Sequence, residues 1–483
     1  MNQHAWAELL QHPDISLDGA TSADDIQVLD PATGECLAWV KMHSTDAVQA
    51  AILRSAQAQK KWKTKTALER ADILWDWYHL ILKHQDDLAA ILTAEQGKPL
   101  AEAKGEIVYA ASFIRWFAEQ ARRLDGEVLT PVQNNQRLVV VKQPIGVTAA
   151  ITPWNFPAAM ITRKAAPALA AGCSMLVKPA ELTPLTAFAL DHLAVKAGVP
   201  QDVLITLCGD SAAVGETLCA SPIVQKLSFT GSTHVGRILM RQCADTIKKL
   251  SLELGGNAPV IVFDDANVEQ AVAGIMASKF RNSGQTCVCA NRIYVQQGIY
   301  DQICQGVVAE VAKLKVGDGR DAGTTQGPLI NDAAVKKIQD HIQNAVDLGA
   351  KIEIGGQLSE LGATFFEPTV LSAVSQEMKV AREETFAPLA ALFPFETEEQ
   401  VVEMANDTEF GLAAYLFTRS TARQWRVGEA LDYGMVGINT GGISNVVAPF
   451  GGVKQSGLGR EGSKFGIDEY LEMKYLCIDL SED

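Results

Sequence analysis

The sequence has no lysine and arginine run of the kind that marks a nucleic-acid or membrane-surface patch, and its 42 basic residues are outnumbered by 57 acidic ones, a formal net charge of −15. Without a basic patch, a protein that grips nucleic acid or a membrane surface by charge is excluded. No stretch of about 18 apolar residues occurs, so no membrane-spanning helix is expected. The opening MNQHAWAELLQHPD has neither a basic start nor an apolar core, so no signal peptide is expected. The nine cysteines are scattered and odd in number, which excludes a disulfide framework and fits a reducing cytoplasm. Internal repeats and low-complexity tracts are missing too. What remains is an ordinary globular composition, 47% hydrophobic and 20% charged over 483 residues. That is chain enough for about three domains and a core that needs no staples.

Residues 46–92 carry apolar positions at helical spacing, from Ala47 and Ile52 through Trp62, Ile73 and Trp77 to Leu92. A second helical stretch is predicted from about Leu100 to Arg123. Gly126 to Val141 alternates and contains RLVVV, the pattern of an extended hairpin. From Gly146 onward, short apolar runs alternate with helical stretches. Strands are predicted at 146–151, 174–179, 202–209, 226–231, 249–254 and 258–263, and helices at 158–171 and 185–197. This predicts an α/β fold with a doubly wound parallel sheet, whose strands are solidly apolar because crossover helices bury both faces. A second α/β region follows Cys287, with strands in RIYVQ, FFEPTVL, LAALFPF, YLFTR and VGIN and helices over 301–314 and 332–348. The C-terminal LEMKYLCIDL alternates like a strand without a partner, and is expected to pair with the 126–141 hairpin or with another subunit.

Four short motifs carry chemistry. In GQTCVC, Cys287 sits in a Gly/Thr loop at the end of a helix, where a thiolate could attack a carbonyl carbon. A lone cysteine is more often a small buried hydrophobe. Cys173, Cys208, Cys219, Cys243, Cys304 and Cys477 lie on apolar runs and are read that way, while Cys36 has no assignment. In LELGGNAP, Glu253 ends a strand ahead of two glycines, free to swing and activate a water; the commoner alternative is a strand-end glutamate facing solvent. In TPWNFP, Asn155 offers a neutral amide to a developing oxyanion from a loop stiffened by prolines, or simply makes a turn. In FTGSTHVG, a glycine turn follows a strand and opens a helix, where a pyrophosphate can rest on the helix N-terminus. Its spacing departs from G-x-G-x-x-G, so the strand-turn-helix context carries that reading.

Asn155, Lys178, Glu181, Gly231, Glu253 and Cys287 follow in this order, with LELGGNAP, GQTCVCANR, EETFAPL, NDTEFGLAAYLFT and APFGGVKQSGLGREG around or after them. On these residues the chain resembles the aldehyde dehydrogenase superfamily over nearly its whole length. The resemblance implies oxidation of an aldehyde to an acid with a nicotinamide cofactor. It implies Cys287 as nucleophile, Glu253 as base for the hydrolytic water, Asn155 with the Cys287 amide as oxyanion donors, and Lys178 in the same catalytic set. For the cofactor it implies Thr152, Trp154, Lys178, Glu181, Gly231, Ser232, Gly236, Leu254, Glu384 and Phe386, the last two at the nicotinamide ribose and ring. Ala387 departs from the glycine of many relatives, with little expected consequence. Lys178 lies in the LVKPAE turn, where relatives bind the adenosine ribose. Three residues on, Glu181 can accept from the 2′- and 3′-hydroxyls and would repel a 2′-phosphate, where NADP-preferring relatives carry a small hydroxyl residue. NAD is therefore expected over NADP, both remaining open if Glu181 faces solvent. No metal is expected.

Within the superfamily, MITRKAAPALAAG, SKFRNSGQTCVCANR, GINTGGISNVVAPFGG and GREGSKFGIDEYLEMKYLCI resemble the succinate-semialdehyde dehydrogenases. This implies a small aldehyde carrying a carboxylate, bound by Arg163, Arg281 and Ser444 with Phe450 beside them. A planar guanidinium suits a carboxylate, although either arginine alone reads as a surface helix residue. Gly442, beside Ser444, departs from the succinate type and keeps glutarate semialdehyde, one methylene longer, as an alternative. Some relatives of this kind use the equivalent of Cys287 and Cys289 as a reversible disulfide, which makes Cys289 a redox candidate; plain packing is the alternative. Glu253 argues against a CoA-acylating enzyme. The joint presence of Cys287, Glu253 and Asn155 argues against a non-enzymatic structural protein on the same fold. The expected architecture is an NAD-binding domain over 1–125 and 147–257, a catalytic domain over 258–440, and a small β oligomerisation arm from 126–146 with the 441–483 segment. A cytoplasmic homodimer or homotetramer is expected, since an exposed strand pair needs a covering subunit.

Overall fold

The structure is a computed structural model and describes residues 6–362 and 364–481. The first five residues, part of the stretch read above as carrying no signal peptide and of the 1–125 segment, lie outside the described residues, as do 482 and 483.

A six-stranded sheet runs in space as Gly457–Leu458, Lys249–Glu253, Val224–Thr230, Val147–Ile151, Ser174–Lys178 and Leu204–Thr206. All its pairs are parallel except the short Gly457–Leu458 edge. Both faces are covered, and successive residues serve opposite sides, as a period of two requires. Met175 and Val177 join one core with Leu169, Phe117 and Trp77, while Leu176 joins another with Val48, Leu218 and Leu239. From Val147–Ile151 the chain steps outward to Ser174–Lys178 and Leu204–Thr206. It then crosses back to lay Val224–Thr230 and Lys249–Glu253 on the other side. The carboxyl ends beside such a reversal leave a crevice between diverging loops.

A second sheet has seven strands in the order Lys351–Ile354, Thr369–Ser372, Leu389–Phe395, Ala290–Gln296, Ala258–Val262, Ala413–Phe417 and Met435–Ile438. It is parallel apart from its Lys351–Ile354 edge. The tail strand Leu471–Asp479 pairs antiparallel with Gln136–Pro144, which pairs in turn with Glu127–Leu129.

Three features differ from the sequence reading. The 441–483 segment does not serve the arm alone: Gly457–Leu458 closes an edge of the first sheet, opposite Leu252 and Glu253. Two residues beginning with glycine carry no alternation from which a strand could be read. A small N-terminal sheet of Ile15–Ser16, Ile26–Leu29 and Cys36–Val40 also went unread, although its two longer strands alternate in burial. The helical 46–92 region is three helices, Thr45–Trp62, Ala67–Lys83 and Gln85–Gln96, the second opened by a capping box between Thr66 and Glu69.

Candidate active site

Three of the four chemical motifs emerge at strand ends of the first sheet, whereas GQTCVC lies between helix Val268–Lys279 and strand Ala290–Gln296 of the second. TPWNFP follows Ile151, Lys178 ends its strand, the glycine turn follows Thr230, and Glu253 is a last strand residue. A cavity of about 370 Å³ opens there. Trp154, Asn155, Gly231, Ser232, Glu253, Leu254, Cys287, Glu384 and Phe386 all line it. Thr152, Lys178, Glu181 and Gly236 stand outside that wall. Thr152 N–H donates to Lys178 O at 3.0 Å. Lys178 Nζ donates to Glu181 Oε1 and Ser211 Oγ, each at 2.6 Å. Gly236 lies one turn into helix Thr233–Cys243, which Ser232 caps by accepting from Val235 N–H at 3.3 Å.

The nucleophile loop is built from unusual backbone. After helix Val268–Lys279 the chain turns through Asn282 (φ 52°) and Ser283 (φ 53°), both left-handed. Gly284 continues at φ +73°, where a Cβ would stand 2.2 Å from Ala387 O. Gly256, the second glycine after Glu253, passes so close to the loop that its Cβ would lie 2.5 Å from Cys287 O. Asn155 Nδ2 donates one N–H to Gln285 O at 3.0 Å, which ties Asn155 to the loop that carries Cys287. Trp154 and Phe386 meet edge to face with centroids 5.6 Å apart, and Phe386 is held at φ 56°.

Burial pushes the Cys287 thiol up to about 12; the charges of Glu384 and Glu253 add to this, and Arg163 and Arg281 oppose it. Burial also pushes the Glu384 carboxyl up to about 7 against a bond from Gly256 N–H at 3.1 Å. Glu253 is only 3% exposed and neither of its oxygens has a hydrogen-bond partner. Burial and then the nearby Glu461 raise its pKa well above the carboxylate range. A buried carboxylate without partners is poised to take a proton.

Asn155 Oδ1 is a further buried polar atom without a partner at this crevice, and Thr152 Oγ1 is another, outside its wall. Orphaned acceptors and donors at the mouth of a parallel sheet fit a polar dinucleotide. Ser232 and the helix it caps suit its pyrophosphate, and Glu384 a ribose hydroxyl. Among the described residues no group of three or more His, Cys, Asp or Glu side chains is placed to hold a metal ion.

The residues expected to bind a carboxylate divide. Arg281 and Ser444 line a smaller cavity of about 220 Å³, whose walls include Thr286 and Val288 on either side of Cys287. Arg163 lines neither cavity. It is buried, its Nε lies 2.6 Å from Glu461 Oε2, and it stacks 4.0 Å from the Phe450 ring. Its guanidinium is therefore not a free fork; only Nη2 joins the unpartnered atoms without an ion pair. Phe450 shares that environment rather than the crevice. Cys289 is buried, with Sγ 3.4 Å from Lys279 O. Cys477 corrects the apolar-run reading, because it is exposed on the arm; Cys173, Cys208, Cys219, Cys243 and Cys304 are buried.

Several site residues went unread in the sequence. Thr230 and Lys337 line the crevice, and Lys337 Nζ donates to Glu384 O. Lys164 Nζ donates to Thr230 Oγ1 at 2.6 Å and pairs with Glu461. Lys98 and Glu106 form a buried pair at 2.6 Å beneath Asn155. For Lys164 a charged residue within an apolar helix was the available signal, but its partner Glu461 lies 297 positions away, and Lys98 reaches Glu106 from outside the helix.

Cysteine, amide and unpartnered carboxylate line one crevice at the carboxyl ends of a parallel sheet, and the class of protein is an oxidoreductase. The chain belongs to the aldehyde dehydrogenase family, whose model matches residues 18–476. It is 59% identical over 461 residues to the NADP(+) succinate-semialdehyde dehydrogenase GabD of Escherichia coli, covering 95% of this chain and 96% of that one. It is equally 59% identical over 461 residues to a glutarate-semialdehyde dehydrogenase of Pseudomonas putida, with the same coverage of 95% and 96%. The solved structure of a succinate-semialdehyde dehydrogenase from Burkholderia pseudomallei superposes with a TM-score of 0.95 at 59% identity, over 98% of each chain. The protein is an aldehyde dehydrogenase and uses a nicotinamide dinucleotide, as its family does.

Proposed function

We propose that this enzyme oxidises succinate semialdehyde to succinate and takes NAD in preference to NADP. The observation that carries the reading is the pairing of two cavities around one loop. Cys287, Asn155 and the unpartnered Glu253 line the larger, and Arg281 and Ser444 line the smaller beside Cys287.

In this mechanism Cys287 attacks the aldehyde carbon as a thiolate and forms a thiohemiacetal. The thiol gives up its proton to solvent before the attack. The second N–H of Asn155 Nδ2 and the Cys287 N–H donate to the oxyanion. The bound nicotinamide supplies the acceptor for the hydride that a tetrahedral alkoxide readily releases. Carbon is left as a thioester on Cys287, a good acyl donor. Glu253 deprotonates a water that attacks the thioester and frees the acid. Arg281 and Ser444 hold the far carboxylate throughout.

A second acid semialdehyde, glutarate semialdehyde, is favoured by one observation: only Thr440 Oγ1, at 4.0 Å, would meet a Cβ on Gly442, so the loop beside Ser444 leaves room for a longer chain. For the cofactor, Glu181 neutralises the Lys178 ammonium that a 2′-phosphate would seek, and can still accept from ribose hydroxyls. The E. coli relative bears NADP(+) in its name, so Glu181 is the residue to vary. Glu181→Ser is expected to lower KM for NADP by about tenfold and raise it for NAD; unchanged KM values would remove the preference.

The deciding assay is reduced-cofactor formation with succinate semialdehyde, glutarate semialdehyde and an uncharged aldehyde of similar length. The acid semialdehydes are expected to dominate. Arg281→Met is expected to raise their KM by about 10–100-fold while leaving the uncharged aldehyde unaffected. Preference for the uncharged aldehyde would overturn the substrate. The arm exposes Met473, Tyr475, Leu476 and Ile478, and we assign its cover to a second copy of this chain, as dimer or tetramer. Sedimentation of a monomer at micromolar concentration would contradict that.

A further inference from the structure

Glu102 and Glu106 share one face of helix Leu100–Ala121, and Lys98 stands in the turn that precedes it. None of the three lines the crevice. Lys98 and Glu106 are buried, Glu102 half-buried. Lys98 Nζ donates to Asn155 O at 2.8 Å and to Glu106 Oε2 at 2.6 Å. Glu106 Oε1 accepts from Ala158 N–H at 3.0 Å and from Ala159 N–H at 3.3 Å, where helix Ala159–Ala171 begins. Glu102 Oε2 accepts from Asn282 N–H at 2.8 Å. Asn282 is the left-handed residue of the nucleophile loop, and its Nδ2 donates to Asn155 O at 3.0 Å and Gln285 O at 3.2 Å. The peptide oxygen of Asn155 thus collects Lys98 from one side and Asn282 from the other, while Glu102 holds Asn282 in place.

An ion pair this deep is expensive to desolvate, and apolar side chains would pack the helix against the sheet as well. What the three charged residues add is directed bonds onto the backbone of two catalytic loops. We propose that Lys98, Glu102 and Glu106 are positioning residues that fix the Asn155 amide against Cys287. The inference rests on the roles proposed above for Asn155 and Cys287. Rate depends steeply on such placement, since an error near 1 Å costs about 100-fold.

The test uses the full-length enzyme with NAD and acid semialdehyde. Lys98→Met is expected to lower kcat by about 100-fold with KM for the cofactor nearly unchanged. Because it acts through Asn155, adding it to Asn155→Ala should slow the enzyme by no more than about twofold further. Full multiplication of the two losses, a parallel collapse of cofactor binding, or a wild-type kcat in Lys98→Met would overturn the proposal. Asn155→Ala with a wild-type rate would remove the role of Asn155 itself and the premise with it.

A second arm reads the nucleophile loop without turnover and carries the test should Lys98→Met not fold. Glu102→Ala is expected to slow alkylation of Cys287 by iodoacetamide, with cofactor binding retained. Glu102→Gln should restore it, because the amide oxygen still accepts from Asn282 N–H. Wild-type alkylation in Glu102→Ala, or no rescue by Glu102→Gln, would refute the clamp on that side.

Discussion

Glu253 and Glu461 are two buried carboxylates that influence each other's charge, and their surroundings send them in opposite directions. Glu461 is gripped by Arg163 and Lys164. Burial alone would raise its pKa, but the two cations outweigh it and hold the carboxyl below the usual range. Glu253 has no hydrogen-bond partner at either oxygen, and burial together with the Glu461 charge lifts it well above that range. Depth is shared, so pairing makes the difference. The paired carboxylate is a fixed charge that anchors helix Ala159–Ala171 to the C-terminal segment. The unpaired one can exchange a proton at the reaction centre, and pairs of groups pushed apart in this way mark acid–base assignments.

The contrast breaks most visibly in turnover. Glu253→Gln is expected to lower steady-state kcat by about 10²–10⁴-fold, while its melting temperature stays near that of the parent. An unchanged kcat would remove Glu253 as the base. Glu461→Gln should do the reverse first: it leaves two buried cations short of a partner, a loss of about 3–5 kcal/mol, read as a lower thermal midpoint. A variant as stable as the parent would show that the pair is not structural.

Two smaller effects sharpen the picture through pH. With the Cys287 thiol held near 12 by burial, the ionised fraction at neutral pH is small and grows with pH. Alkylation of Cys287 should therefore rise about tenfold per pH unit between pH 7 and 9, and a plateau below pH 8 would contradict the buried-thiol environment. Burial pushes the Glu384 carboxyl up to about 7, and its ionised form is the stronger acceptor for the ribose hydroxyl it suits. Cofactor affinity should increase as pH rises through 7 and lose that step in Glu384→Gln. Smallest of all, Cys289→Ser should change turnover of reduced enzyme by less than about threefold, because its Sγ is spent on Lys279 O inside the core; a larger loss would give Cys289 a part in the chemistry. Equal activity of oxidised and reduced parent enzyme, with all thiols retained, would end its role as a switch partner.

What could be read from the sequence follows a physical divide. Motifs on consecutive strand ends of the first sheet were legible, because a parallel sheet must deliver Asn155, Gly231 and Glu253 to one edge whatever its details. Arg163 was legible as a basic residue on an apolar helix, but its partner Glu461 lies 298 positions later, and no local pattern announces the pair. Lys98 and Glu106 failed in the same way: their spacing matches an ordinary solvated helix face, and only packing against the Asn155 loop makes them otherwise. The breaks between the first helices were within reach, since Thr66 and Glu69 spell a capping box. Cys477 misled because the tail alternates like a half-buried strand, while in the single chain every residue after Leu471 in that strand is exposed. The second copy of this chain proposed above would cover that face.

The central claim is that Cys287 holds the acyl group and Glu253 releases it. Glu253→Gln enzyme mixed rapidly with NAD and succinate semialdehyde tests both halves at once. The account predicts a burst of about one reduced cofactor per active site, followed by slow turnover, with intact mass and peptide mapping placing a succinyl group on Cys287. A linear trace without a burst, or an acyl group on any other residue, would contradict it.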